Sequence, residues 1–285
     1  MTQAEQRNQA VTFLGTTPNI GTTLLSLAVS VRMAEWSGKR VAFLCLNLKS
    51  SKLHRYIGVD GQRASLDELL PDLRAESLTK EQLHSAMHRY SPNLELYVLF
   101  GNRYRETAEY YGVEELLHLI RTARQAYDYI VLDANAYWDN AGTISALLEG
   151  EGVVLTTTAA LSHFQEDYQA WVGMMGEHIQ LESKLLYHSV IKHRGGLYSS
   201  RDCHQQLAGI ALPDVVIPLS LYEALDRGEF KQWLQQTTEG SRWLSNYCKA
   251  LLPELFSLSP TKGKNCKPRW RRSLNAGLAL LSKTK

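Results

Sequence analysis

Seven short, largely apolar runs constrain this chain more than any other feature: Val11–Leu14, Val41–Leu46, Leu94–Leu99, Tyr129–Leu132, Gly152–Thr156, Leu185–Ile191 and Val215–Pro218. Runs of strand length without polar alternation belong to strands buried on both faces, and helical segments fit between most of them. Leu24, Leu25, Leu27, Ala28 and Val31 recur at helical spacing and predict a helix from Thr22 to Trp36; further helices are expected over Val113–Tyr127 and Phe164–His178. The expected fold class is α/β, a doubly wound, mostly parallel sheet with helices on both faces and ligands at the carboxyl ends of its strands. Residues 1–256 read as one such domain, 257–268 as a linker rich in Ser, Pro, Lys and Gly, and 269–285 as a basic amphipathic tail helix.

Between the first run and the first helix lies Gly15-Thr16-Thr17-Pro18-Asn19-Ile20-Gly21-Thr22-Thr23, where a phosphate-binding loop would read G-x-x-x-x-G-K-[ST]. In that loop the glycines let backbone N–H groups close around phosphate, the lysine reaches the β/γ-phosphates and the hydroxyl holds Mg²⁺. Gly21 and Thr23 fit, but Thr22 stands where the lysine should be. Two readings follow. In one, Thr22 or Thr23 caps the helix and no phosphate binds. In the other, the helix N-terminus keeps an anion site, with Gly21, Thr22, Thr23 and Asp133 as cofactor-binding residues and Thr23 and Asp133 on the metal side.

The four cysteines, Cys45, Cys203, Cys248 and Cys266, form no C-x-x-C pair, and His84-x-x-x-His88, expected on a helix, lacks a third ligand, so neither zinc nor a disulfide framework is indicated. Cys45 reads as a small buried hydrophobe. The N-terminus is polar, without the apolar core of a signal peptide, and no apolar run approaches ~20 residues; a cytoplasmic protein, at most peripheral on the inner face of the membrane, is expected. The net charge of +2 hides an asymmetry. No acid follows Glu254, whereas Lys262, Lys264, Lys267, Arg269, Arg271, Arg272, Lys283 and Lys285 do; without these eight, the chain has 23 basic and 29 acidic residues, a net of −6. An acidic body disfavours nucleic acid as a partner. In the tail, Trp270, Leu274, Leu278 and Leu281 fall on one side of a helical wheel, with Arg271 and Arg272 off it; such a helix suits an anionic membrane surface, and docking on a protein is the alternative.

Over roughly residues 11 to 235 the chain resembles the ParA/MinD family of deviant-Walker P-loop ATPases, and within it the TadZ/CpaE-like branch associated with Flp pilus assembly. The family's loop, K-G-G-x-G-K-T, falls on Thr17 to Thr23, so both of its lysines are missing. Its Asp-x-Asp after the second strand falls on Cys45 and Asn47, which removes the carboxylates that help to activate water. Its Walker B strand matches Tyr127 to Asp133 well, which puts Asp133 at the Mg²⁺-side position. The base-contacting Asn has no counterpart in Val190–Arg194, while Ile217-Pro218 and Glu223 to Gly228 resemble the segment near the base. The resemblance implies ATP and Mg²⁺ as the cofactors to test, a homodimer formed through the Trp138 to Ile144 segment, pilus or secretion proteins as partners, and a tail helix like that of MinD-type members. With its catalytic positions replaced, the chain is expected to be a positioning or assembly protein with little or no ATPase activity. The alternative is a slow ATP-dependent dimerisation switch in polar localisation, cell division or DNA partition.

Overall fold

A computed structural model describes residues 9–59, 65–180, 183–192, 198–236 and 238–258. The tail from residue 259 onward, including Trp270, Arg271, Arg272, Leu274, Leu278 and Leu281, lies outside the described residues. In chain order the elements are β1 (Ala10–Gly15), α1 (Thr22–Ser37), β2 (Val41–Cys45), α2 (Leu53–Tyr56), α3 (Leu66–Arg74), α4 (Lys80–Ala86), β3 (His88–Arg89), β4 (Leu96–Leu99), a 3₁₀ segment Arg105–Tyr110, α5 (Val113–Ala126), β5 (Tyr129–Asp133), α6 (Ala141–Glu149), β6 (Gly152–Thr157), a π-helical turn Ser162–Asp167, α7 (Tyr168–His178), β7 (Leu185–Lys192), α8 (Ser200–His204), β8 (Ile210–Ala211), β9 (Val215–Val216), α9 (Leu219–Asp226), α10 (Phe230–Gln236) and α11 (Thr238–Phe256).

The sheet runs β3-β4-β2-β5-β1-β6-β7-β8, with β9 also on β7, and every pairing except β3 with β4 is parallel. Each of the seven apolar runs coincides with a strand, buried on both faces in β1, β2, β4 and β6, while Val216 of β9 is exposed. Two strands were not anticipated, β3 and β8 at the edges. Alternate side chains feed two cores: Val11, Phe13, Val41, Phe43 and Val131 face α1 and α11, while Leu14, Leu44, Leu132 and Val153 face α5, α6 and α7. α1 is buried nearly all round because it is wedged between the sheet and α11, and it stops at Gly38, whose φ of 62° lets its N–H reach the Ala34 carbonyl at 3.1 Å. Each fully buried leucine or phenylalanine here contributes about 1.5–3 kcal/mol through water-to-core transfer.

This order fixes the site. β1 lies between β5 and β6, and β2 pairs with β5, so the carboxyl ends of β2, β5 and β1 stand together; the register pairs Asp133 with both Phe13 and Cys45. Among the described residues no helix is long and apolar enough to cross a membrane.

Candidate functional site

A cleft of about 520 Å³ opens at these strand ends. One wall is the loop from Gly15 through Gly21 to the first turn of α1; the facing wall is the segment after β2, from Asn47 to Tyr56, with Arg105; Ala134 to Tyr137 lie between, and Ile217, Tyr222, Leu225 and Asp226 close the far side.

The loop wall is stitched to the protein rather than left open for a ligand. Thr16 N–H donates to the Thr156 carbonyl at 2.8 Å, and Trp171 Nε1 donates to the Thr16 carbonyl at 3.2 Å. Thr17, at the family's signature lysine position, donates its hydroxyl to Asp167 at 2.9 Å, in the π-helical turn ahead of α7. Gly21 begins α1 with φ 102°, and a side chain there would collide with Ile217 Cδ1 at 2.5 Å, so only glycine fits.

No side chain caps α1, which corrects the reading of Thr22 or Thr23 as caps. Thr22 is buried and turned inward, 2.7 Å from Thr156 Oγ1. Thr156 donates its single hydroxyl proton to the Leu14 carbonyl at 3.1 Å; Thr22 must therefore be the donor to Thr156, and its proton is directed away from the cleft. The residue in the lysine position thus closes a hydrogen-bond chain between β1, β6 and α1. The N–H groups of the first helical turn still open on the cleft through Gly21, Thr22, Thr23 and Leu24.

Asp133 sits beneath this wall, fully buried. Ser26 Oγ lies 3.0 Å from its Oδ1, Cys45 Sγ lies 3.5 Å from its Oδ2, and the Thr23 hydroxyl bonds it as well. Burial pushes the carboxyl up to about 6 against the pull of these donors. The Cys45 thiol is in turn pushed up to about 12, first by burial and then by the Asp133 charge. Cys45 is buried, as expected, but it is also a hydrogen-bond donor to Asp133. At the second carboxylate position, Asn47 Oδ1 accepts from Lys49 N–H at 2.9 Å and from Asn135 Nδ2 at 3.0 Å.

Asn102, fully buried and not singled out from the sequence, braces the facing wall: its Oδ1 accepts from Ser50 N–H at 3.3 Å and its Nδ2 donates to the Tyr104 carbonyl at 2.8 Å. The signal for it was its place just after β4, at the carboxyl edge of the sheet. Lys49 Nζ lies 3.0 Å from both Asp139 oxygens and 4.0 Å from the Tyr137 ring centre. Lys52 Nζ donates to Ser50 Oγ at 2.9 Å. Trp138, at the expected dimer segment, packs against Trp171 and His178 with ring centres 5.6 and 5.7 Å apart.

No metal cluster forms among the described residues. His88 lies in β3, off the helix expected for the His84 pair, and His84 Nδ1 is 2.9 Å from the Tyr127 hydroxyl. His188 and His204 instead form a chain to Asp214, with links of 2.9 and 2.9 Å, which ties β7 to α8.

A mostly parallel sheet flanked by helices has known counterparts among solved structures. It superposes on a ParA family ATPase from Chlorobium tepidum TLS with a TM-score of 0.72 at 15% identity, over 84% of this chain and 96% of that one. The chain has the ParA/MinD fold. The cell division ATPase MinD of Pyrococcus furiosus matches with a TM-score of 0.68 at 16% identity, over 85% and 97% of the two chains. A putative plasmid partition protein of Borrelia burgdorferi bound to AMPPNP matches at 0.65 and 14%, over 87% and 100%. No protein-family model and no curated protein matches the sequence. On this ParA/MinD scaffold the residues present fit a Mg²⁺-nucleotide poorly. Thr22 presents an inward-turned hydroxyl, Asp133 does not line the cleft and its oxygens face Ser26, Cys45 and Thr23, and Cys45 and Asn47 bring a thiol and an amide to the strand end.

Proposed function

We propose that this chain is a ParA/MinD-like positioning or assembly protein that binds partners without turning over ATP. One observation supports this above all: Thr22, Cys45 and Asn47, which replace the lysine and the two carboxylates, are each engaged inside the protein and offer no charge to a transferring phosphate. Loss of that charge stabilisation is worth ~10³-fold or more in rate. Resemblance to the TadZ/CpaE-like branch makes a pilus or secretion system the proposed setting. The second reading, a slow ATP-driven dimerisation switch, draws on the retained contact between Thr23 and Asp133.

The discriminating experiment is phosphate release from the purified full chain with Mg-ATP, alongside light scattering with and without nucleotide. The expected outcome is no release above background and a self-association that ignores ATP. Turnover abolished by Asp133→Ala, or a monomer that dimerises only with ATP, would establish the switch instead.

The tail is proposed to hold the protein at an anionic membrane surface. Trp270, Leu274, Leu278 and Leu281 supply the apolar side, each basic residue near the surface adds about 1 kcal/mol, and one short helix gives only reversible binding. Two tails in a dimer would raise avidity. Sedimentation with anionic vesicles, weakened by salt and lost on deleting 269–285 or on Leu278→Glu, is expected; equal sedimentation of the truncated protein would reject it.

A further inference from the structure

We propose that His188 and His204 form a proton-loaded clasp: the pair holds one proton more than two neutral imidazoles do, and loss of that proton as pH rises frees α8 and the edge strand β8 from the sheet.

The hydrogen-bond partners fix the number of ring protons. At one end His188, buried in β7, sets Nδ1 2.8 Å from the Ala208 carbonyl. A carbonyl only accepts, so Nδ1 carries a proton. The same oxygen accepts from the Tyr168 hydroxyl at 2.7 Å, which holds it in place. At the other end His204 Nε2 lies 2.9 Å from Asp214 Oδ1, and Ser200 Oγ donates to Oδ2 of that carboxylate. A carboxylate accepts too, so Nε2 carries a second proton. Between the rings His188 Nε2 and His204 Nδ1 stand 2.9 Å apart, a link that requires a third. Two neutral imidazoles bring only two protons. The folded pair is therefore a monocation closed against Asp214.

The extra charge belongs at the His204 end. Burial holds His188 below the ordinary histidine value against the pull of the Ala208 carbonyl, and the His204 charge lowers it further. The His204 and Asp214 side chains keep 21% and 25% exposure, so the charged link stands where water still reaches it. Around the pair, α7 turns the Tyr168 ring edge-on to His188 at 6.3 Å, and β6 places Leu155 in register with it. The neutral Gln165 and Gln169 reach the end of α8 at Gln206. On α8 itself are Arg201 and Asp202, the latter held in a capping box with Ser199.

The clasp brackets a short edge. β8 is two residues long, exposed, and paired with β7 at Tyr187 and His188. Ala208 precedes it, Asp214 follows it and His204 closes α8, so the three links pin the whole segment to β7. Once the segment opens, both histidines titrate near the ordinary value of about 6.5. Below that pH the open segment binds two protons against the clasp's one, so acid favours opening. Above it the open segment binds none, so a further rise in pH favours opening until the clasp itself gives up its proton. Opening should therefore be rarest at about pH 6.5 and grow up to about ten-fold per pH unit on either side.

Two measurements on the full chain test this. Nitrogen NMR of the histidine rings near neutral pH should find three protonated ring nitrogens in the pair, His188 Nδ1 among them; two protonated nitrogens overturn the proposal. Native-state exchange of the Leu212 amide, which donates to the His188 carbonyl at 2.9 Å, should pass through a minimum at about pH 6.5 after correction for the intrinsic rate. Asp214→Asn is the decisive variant. Its amide N–H can donate to His204 Nε2 while its carbonyl accepts from Ser200, so the chain closes on two neutral rings. The rise on the alkaline side should then vanish and the rise on the acid side remain. A slope is read here, so a variant of lower overall stability still reports. An alkaline rise kept in Asp214→Asn, or a parent protein flat above that minimum, overturns the proposal, and if the variant does not fold the ring-proton count decides alone.

Discussion

The two walls of the cleft solve opposite problems. The loop wall is neutral and tied to the protein behind it: Thr16, Thr17 and Thr22 spend their hydrogen bonds on Thr156, Thr157, Asp167 and Trp171. The facing wall is cationic and presents its charges outward from an amide-braced frame. A phosphate loop ordinarily combines both tasks, backbone cradle and charge, in one segment. Here the loop wall contributes rigidity and the other wall contributes field. The comparison therefore predicts that substitutions on the loop wall change stability and those on the facing wall change ligand affinity.

The largest effect should come from the carboxylate beneath the loop wall. Folding raises the Asp133 carboxyl from 3.8 to about 6 by burial. The folded state then keeps its proton to higher pH than the unfolded chain does, so Asp133 lowers stability progressively as pH rises from near 4 through about 6. Two pKa units correspond to about 3 kcal/mol. Asp133→Asn should remove this slope, so the difference in melting free energy between variant and parent should grow over that window and then level off. A difference constant with pH would show that the carboxylate is not strained by burial and would blunt the contrast between the walls.

Next in size is the post on which the loop hangs. Thr156→Val leaves the Thr22 hydroxyl without its acceptor, and a buried polar group so stranded costs about 1–3 kcal/mol. Chemical denaturation should record a loss of about 2 kcal/mol, with anion affinity little changed. Lys52→Ala should do the reverse: stability within about 0.5 kcal/mol of the parent, as for most surface substitutions, and weaker anion binding. Equal stability effects in the two variants would break the division of labour.

Much of the scaffold was legible because fully buried strands leave a continuous apolar record, as in Val41 to Leu46 or Gly152 to Thr157. β3 and β8 left none, since two-residue edge strands such as His88–Arg89 have no period to read. The absence of a lysine beside Gly21 was visible in the sequence; the direction of Thr22 was not, because Thr156, 134 residues later, decides it. Cys45 could be placed as buried, but its bond to Asp133 follows from the β2–β5 register, which a single sequence does not specify. The facing wall was the least legible part. Lys52 and Arg105 follow different strands and line one cleft because Asn102 and Ser50 tie the two segments, and no spacing rule links them.

Cys45 gives the molecule a chemical clock. A thiol reacts as its thiolate, and this one is fully enclosed and held up to about 12. Cys203 and Cys248 are buried too. In the folded protein, then, alkylation of Cys45 can proceed only as fast as β2 and β5 part at their carboxyl ends. At reagent concentrations where reaction outpaces reclosing, the rate at which a small reagent appears on this one sulfur would time how often the floor of the cleft opens, without any probe having to be introduced.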